Sequence, residues 1–191
     1  IDVSLVGSEM CIRDSCSIYL FIGTYQRNKA LEFAHSLARL RGHEIDNISA
    51  RPSLANIVLW RIVYRTDENY YVDALRILPF SSEVHYCGSH VKVYSAQSAA
   101  EEFPNNRRML GDIERFRFFS QDSLYRYPKD NDVIGDLRYA MFPDSIQPLW
   151  GIRINPALAD RHVSLEYFRT IEIESFSRLF KMIRGQPVSS Y

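Results

Sequence analysis

The spacing of hydrophobic residues predicts a long helix near the start of the chain. Small and aliphatic side chains recur there every three or four residues, as on one face of a helix: Ala30, Leu31, Ala34, Leu37 and Ala38. Gly42 is a typical helix end, and basic residues surround the last turn. We therefore predict a helix over residues 17–42, whose small-residue face packs closely against another helix or a sheet.

After this helix the pattern changes to that of β-strands. Residues 57–64 and 70–78 are rich in β-branched and aromatic side chains, and a polar turn separates them. This arrangement predicts a β-hairpin. Two further short strands, residues 84–87 and 90–94, flank a Gly-Ser pair.

The second half of the chain alternates between both patterns. Helices are predicted over residues 95–103, 104–120 and 175–184, and strands over 125–127, 133–141, 147–154 and 163–173. Pro143, Pro156 and Asp160 separate the last three strands. The order predicts an α+β fold: a mainly antiparallel sheet with a long N-terminal helix, a middle helical segment and a C-terminal helix.

Composition narrows the possible functions. The chain of 191 residues carries 23 basic and 23 acidic residues, and this balance disfavours a nucleic-acid partner. Outside the first 15 residues only Cys16 and Cys87 remain, too few for a disulfide framework or a four-cysteine zinc site. The histidines show no ligand spacing; His85 and His90 could converge across a small hairpin, but we expect no metal or other cofactor in this chain.

Residues 5–15, LVGSEMCIRDS, resemble a translated sequencing adapter. The transposase mosaic end used in fragment libraries encodes Glu-Met-Cys-Ile-Arg-Asp-Ser in one reading frame, and the adapter bases before it encode Leu-Val-Gly-Ser. We therefore predict that residues 1–15 are an artefact without native structure. On this interpretation the natural sequence starts at Cys16, and native residues upstream of it are missing.

The apolar run IYLFI, residues 18–22, follows directly. It is either the end of a truncated transmembrane helix or part of an amphipathic helix of a soluble protein. Basic residues follow the run, and in the first case they indicate a cytoplasmic flank. We predict that residues 16–44 form one long helix, which consists of the end of a truncated transmembrane helix and a juxtamembrane helix. Residues 45–191 are predicted to form a soluble α+β domain.

Charged residues interrupt the predicted strands. Arg61 and Asp73 lie in the two strands of the hairpin, and Asp136 and Arg138 lie together in a later strand. If the hairpin closes around residues 67–69, Arg61 lies opposite about Leu75, and the two hairpin charges share one face. The four residues then form either a structural ion-pair network or a polar floor for an anionic or hydroxylated ligand. Trp150 is a core anchor or, alternatively, a pocket wall.

Five segments carry a resemblance to a known family: ARPSLANIVLWRIVY, YYVDALRI, RFRFFSQ, VIGDLRYAMFP and QPLWGIRINP. In this order they resemble the C-terminal part of the YdjM-like family, whose name refers to LexA, over residues 19–162. The resemblance implies an inner-membrane-bound, metal-dependent hydrolase whose hydrophobic N-terminal half carries the metal ligands. It implies a divalent metal in the full-length protein, and no catalytic residue is transferred to this chain.

Three functional hypotheses follow. In the first, the chain is the C-terminal domain of a bacterial inner-membrane hydrolase; its metal site lies upstream, and the domain lies on the cytoplasmic side. In the second hypothesis, the chain is a non-catalytic domain that binds a ligand or partner and regulates a membrane protein. A third hypothesis is a self-contained hydrolase that uses Asp73, Asp136 and a histidine. The substrate is not indicated by the sequence.

Overall fold

A computed structural model describes residues 3–53, 56–79, 81–155, 161–168 and 173–189. In this part of the chain the elements follow in the order α1 (Val3–Leu40), β1 (Asn47–Pro52), β2 (Leu59–Arg65), β3 (Asn69–Arg76), β4 (Val84–Lys92), α2 (Ala96–Glu102), α3 (Arg107–Phe119), β5 (Leu124–Arg126), β6 (Val133–Asp136), β7 (Trp150–Arg153), β8 (Ser164–Tyr167) and α4 (Ile173–Ile183). Strands β1–β4 form sheet 1 and β5–β8 form sheet 2, each in sequence order and antiparallel. The predicted α+β class, with its N-terminal and C-terminal helices, is confirmed.

Helix α1 is anchored to sheet 1 through its C-terminal half. The buried alanines of the predicted face, Ala30, Ala34 and Ala38, pack against the sheet, where Trp60 and Ile62 are buried. Because alanine has a short side chain, the helix backbone can approach the strands closely. The helix ends in a Schellman motif: Gly42 has a φ of +71°, and the amide of His43 donates to the carbonyl of Ala38 at 2.9 Å. The predicted helix end is therefore confirmed.

The N-terminal half of α1 extends away from this contact. The helix begins at Val3, well before the predicted start, and therefore includes the whole adapter-like stretch, residues 5–15. Between residues 12 and 25 no side chain is buried. Whether residues 1–15 derive from a sequencing adapter depends on the gene sequence, so that the adapter origin stays a prediction. Within the described residues, no helix is both long enough and apolar enough to cross a membrane.

Sheet 1 contains the predicted hairpin and one strand that the pattern did not indicate. Strands β2 and β3 pair as a hairpin. Strand β1 adds to the edge of the sheet and ends at Pro52, and proline is tolerated there because an edge strand needs fewer backbone donors. Strand β4 is continuous where two short strands were predicted: Gly88 and Ser89 together lie opposite Val72 as a β-bulge.

The two sheets pack face to face. Tyr70, Val72 and Val91 of sheet 1 form one core cluster with Tyr125 and Val133 of sheet 2. Each such side chain contributes about 1.5–3 kcal/mol when it is fully buried. Successive side chains of a strand point to opposite faces of the sheet. Leu124 and Ile134 therefore lie on the face of sheet 2 that is directed away from sheet 1, and they pack against α2 and α3. The layers are therefore α1, sheet 1, sheet 2 and the pair α2–α3.

Strands β6 and β7 of sheet 2 are shorter than predicted, whereas β5 has the predicted length of three residues. Strand β6 ends at Asp136 because its carboxylate accepts a hydrogen bond from the amide of Arg138 at 3.0 Å. This local turn competes with strand pairing.

The middle helices α2 and α3 are capped by Ser95, as anticipated, and by Asn106. The separators Pro156 and Asp160 lie outside the described residues, as does the stretch 169–172 of the last predicted strand.

Candidate functional site

The hairpin register separates the two charges that the sequence placed together. Arg61 pairs with Ala74, and Asp73 pairs with Ile62. This register differs by one residue from the predicted one, and a shift of one residue moves a side chain to the opposite face of a sheet. The predicted shared face of Arg61 and Asp73 is therefore wrong: Asp73 faces α1, and Arg61 faces sheet 2.

Arg61 is a buried structural cation. Only 5% of it is exposed, and its guanidinium donates to the carbonyls of Leu137, Pro143 and Ser145 at 2.8–2.9 Å. Burial lowers the pKa of Arg61 to about 10, so that the group stays charged at neutral pH. The side chain ties the loop after β6 to sheet 1.

Asp136 and Arg138 form the second part of the predicted set. Asp136 is fully buried, and its carboxylate accepts from Arg138 Nη2 at 2.7 Å and from the Trp150 indole at 3.1 Å. The indole also contacts the rings of Phe119 and Tyr139. Arg138 therefore neutralises the buried carboxylate and Trp150 adds a hydrogen bond to it, whereas the role of Trp150 as a pocket wall stays a prediction. Since Asp136 lies in sheet 2 and Asp73 faces α1, the third hypothesis, which needs both in one pocket, is wrong.

A polar cleft of about 200 Å³ opens where the edge of sheet 1 meets sheet 2. We call it the inter-sheet cleft. Strand β1 contributes every second residue to it, because side chains alternate along a strand, and the turn after α3 closes the other side. It is lined by Asn47, Ser49, Arg51, Val63, Arg65, Tyr70, Gln121, Asp122, Ser123 and Arg138.

Three arginines and one aspartate give the inter-sheet cleft a positive character. Asp122 pairs with Arg65 at 3.1 Å and with Arg117 at 3.2 Å, so its negative charge is shared. Arg51 donates to the Tyr139 hydroxyl at 2.6 Å but forms no ion pair within the described part of the chain. In addition, the Nε atom of Arg65 is buried without a hydrogen-bond partner there. The cleft therefore has donors left for an anion.

The turn that closes the cleft has an unusual backbone. Gln121 and Asp122 have φ angles of 50° and 59°, in the left-handed region that non-glycine residues seldom adopt. Each such residue costs on the order of 1 kcal/mol. The Tyr70 hydroxyl holds the turn by donating to the carbonyl of Asp122 at 2.6 Å. Strained turns of this kind are common at binding sites.

A second polar group surrounds Asp73 on the α1 side of sheet 1. We call Arg41, Asp73, His85 and Cys87 the Asp73 cluster. Arg41 binds both carboxylate oxygens, at 2.7 and 3.0 Å. His85 Nε2 lies 2.9 Å from Asp73 Oδ1, and its Nδ1 lies 3.9 Å from the Cys87 sulfur. Burial alone would raise the pKa of Asp73, but the hydrogen bonds from His85 and Arg41 outweigh it and lower the pKa.

Sequence reasoning missed this cluster, although it considered two of its members separately. His85 was paired with His90 across a hairpin, but both lie on the single strand β4, and His90 stacks on Tyr71. His85 and Cys87 share a face because they are two residues apart. Cys87 lies opposite Asp73, and this neighbour can be identified only from the strand register.

Comparison of the chain with protein-family models, with curated proteins and with solved structures found no match. The resemblance to the YdjM-like family therefore stays a prediction.

Proposed function

We propose that this domain binds a small anionic ligand, such as a compound with a phosphate or carboxylate group, in the inter-sheet cleft. The observation that carries the proposal is Arg51. Its guanidinium lines the cleft and forms no ion pair within the described residues, whereas the other two lining arginines have a carboxylate partner.

The chemistry of the cleft fits an anion of modest size. Guanidinium groups match the geometry of phosphate and carboxylate oxygens, and Ser49, which also lines the cleft, adds a neutral hydroxyl. A volume of about 200 Å³ accommodates one such group with a small substituent. The proposal corresponds to the non-catalytic alternative drawn from the sequence, because among the described residues that line the cleft no nucleophile is paired with a general base.

We expect inorganic phosphate to shift the backbone amide signals of residues around the cleft in an NMR titration at constant ionic strength. Arg51→Met should weaken this binding at least about tenfold, since a hydrogen bond to a charged group contributes about 1.5–3 kcal/mol. Raising the salt concentration should also weaken it, because the site is partly open to solvent and is screened.

Arg107→Met is the matched control, because Arg107 is exposed at the start of α3, away from the cleft. This variant should bind phosphate as the parent chain does. The proposal fails if phosphate shifts no amide signals around the cleft, or if both variants weaken binding equally.

We further propose, from the resemblance, that the chain is part of a bacterial inner-membrane protein and that α1 meets the bilayer on the cytoplasmic side. The supporting observation is the exposed apolar surface of α1 before the sheet contact, where Leu20 is 67% and Phe21 is 74% exposed. Tyr19 and Tyr25 are exposed in the same stretch, and Arg27 and Lys29 follow. Aromatic and basic residues in this order are typical of a membrane interface.

We expect the chain to sediment with vesicles of phosphatidylethanolamine and phosphatidylglycerol. The double variant Leu20→Ser/Phe21→Ser should lose most of this binding, because it removes apolar surface that would enter the acyl region. Leu40→Ser is the control, since Leu40 is equally apolar and 86% exposed at the far end of the same helix. Equal sedimentation of the double variant and the parent chain would contradict the proposal.

A further inference from the structure

We propose that Asp73, His85 and Cys87 form a binding site for a zinc ion. One ligand atom from each residue lies within 4.8 Å of the others. The site faces α1, on the opposite side of sheet 1 from the inter-sheet cleft, and it does not depend on the anion-binding proposal.

The chemistry of the three ligands selects the ion. Thiolate sulfur and imidazole nitrogen favour zinc, whereas magnesium and calcium require sets of oxygen ligands. A zinc site with three protein ligands leaves a fourth position for water, as in sites where zinc activates a water molecule. The ion would lie between the carboxylate and the imidazole, which are now 2.9 Å apart, and would replace their direct hydrogen bond.

Arg41 is compatible with this site as a supporting residue. Its Nη1 atom donates to Asp73 Oδ2 at 2.7 Å, and its Nη2 atom donates to Oδ1 at 3.0 Å, the oxygen that His85 also contacts. A metal bound through Oδ1 would replace the contacts of His85 and of Arg41 Nη2 with that oxygen, and the carboxylate would keep its hydrogen bond to Arg41 Nη1 through Oδ2. Metal-binding carboxylates commonly have such a second hydrogen-bond partner, which holds their orientation.

The site has a rigid base and an open side. Asp73 is buried at the centre of the sheet, whereas Cys87 is exposed, so that an ion can enter from solvent. A cavity of about 330 Å³ beside β4 is lined in part by His85 and Cys87. Gly88, next to the cysteine, packs directly against the backbone of Val72, and this contact limits movement of the strand.

Isothermal titration calorimetry with zinc should show one ion bound per chain. Cobalt should give visible d–d bands and a near-ultraviolet sulfur-to-cobalt charge-transfer band, which reports the thiolate directly. Cys87→Ser should abolish the charge-transfer band. His85→Gln and Asp73→Asn should each weaken zinc binding at least about tenfold.

The control protein carries Cys11→Ser and Cys16→Ser, so that Cys87 is its only thiol, and it should bind zinc as the parent chain does. His90→Gln tests the other histidine of the same strand and should also have no effect. Circular dichroism of each variant separates loss of binding from loss of folding. The proposal is overturned if zinc does not bind the control protein, or if Cys87→Ser binds zinc and cobalt unchanged.

Discussion

Replacing Arg61 by methionine should lower the free energy of unfolding by about 4 kcal/mol or more. Methionine fills a similar volume but donates no hydrogen bond, so the carbonyls of Leu137, Pro143 and Ser145 would each lose their guanidinium donor. A buried polar group that loses its partner costs about 1–3 kcal/mol. Since a domain of this size is stable by only about 5–15 kcal/mol, the loss is a large fraction of the total.

Urea unfolding followed by circular dichroism measures this effect. Arg61→Lys should fall between the parent chain and the methionine variant, because lysine keeps the charge but cannot reach all three carbonyls in a planar arrangement. Arg51→Met is the matched control: Arg51 pairs with Arg61 across the sheet but is only partly buried, and its removal should cost less than about 1 kcal/mol. If the two methionine variants unfold at the same urea concentration, Arg61 does not hold the loop.

The second large effect is expected for Gly88→Ala. A Cβ atom at this position would lie 2.2 Å from the carbonyl oxygen of Val72 and 2.5 Å from that of Asp144. Both neighbours are backbone atoms, so the strand or the loop after β6 must move. Overpacking of this kind costs about 1–3 kcal/mol, and we expect a value at or above the upper end because two carbonyls are displaced.

Gly111→Ala is the control for the glycine variant. Gly111 lies within α3, and nothing lies within 4 Å of a Cβ atom built there. Alanine should therefore stabilise the protein by about 0.5–1 kcal/mol, because glycine is a poor helix former. Thermal unfolding should thus move in opposite directions for the two variants, and a rise in the melting temperature for Gly88→Ala would contradict the packing described for the bulge.

Local signals in the sequence predicted several elements well. The helix end at Gly42 was predictable because glycine adopts the left-handed conformation without steric cost. Ser95 was predictable as a helix cap because its hydroxyl can accept from an amide of the first turn. The hairpin followed from two strand patterns around a polar turn. Each of these features depends on residues that are near one another in the chain.

The candidate sites were much less predictable, because they depend on register and on contacts between layers. The hairpin loop consists of Asp67 and Glu68, since Thr66 pairs with Asn69, whereas a three-residue loop was predicted. That difference of one residue placed Arg61 and Asp73 on opposite faces. Polar residues suit both loop lengths, so composition could not distinguish them.

The sequence by itself determined the fold class, the face of α1 that packs on the sheet, and the balance of charge. Helix periodicity and strand alternation depend only on local backbone geometry, so they can be read along the chain. Only the tertiary structure decided that Arg41, His85 and Cys87 surround Asp73, and that Arg51 faces a cleft without an ion-pair partner in the described residues. These neighbours lie far apart in sequence, and their approach depends on strand register and on the packing of two sheets.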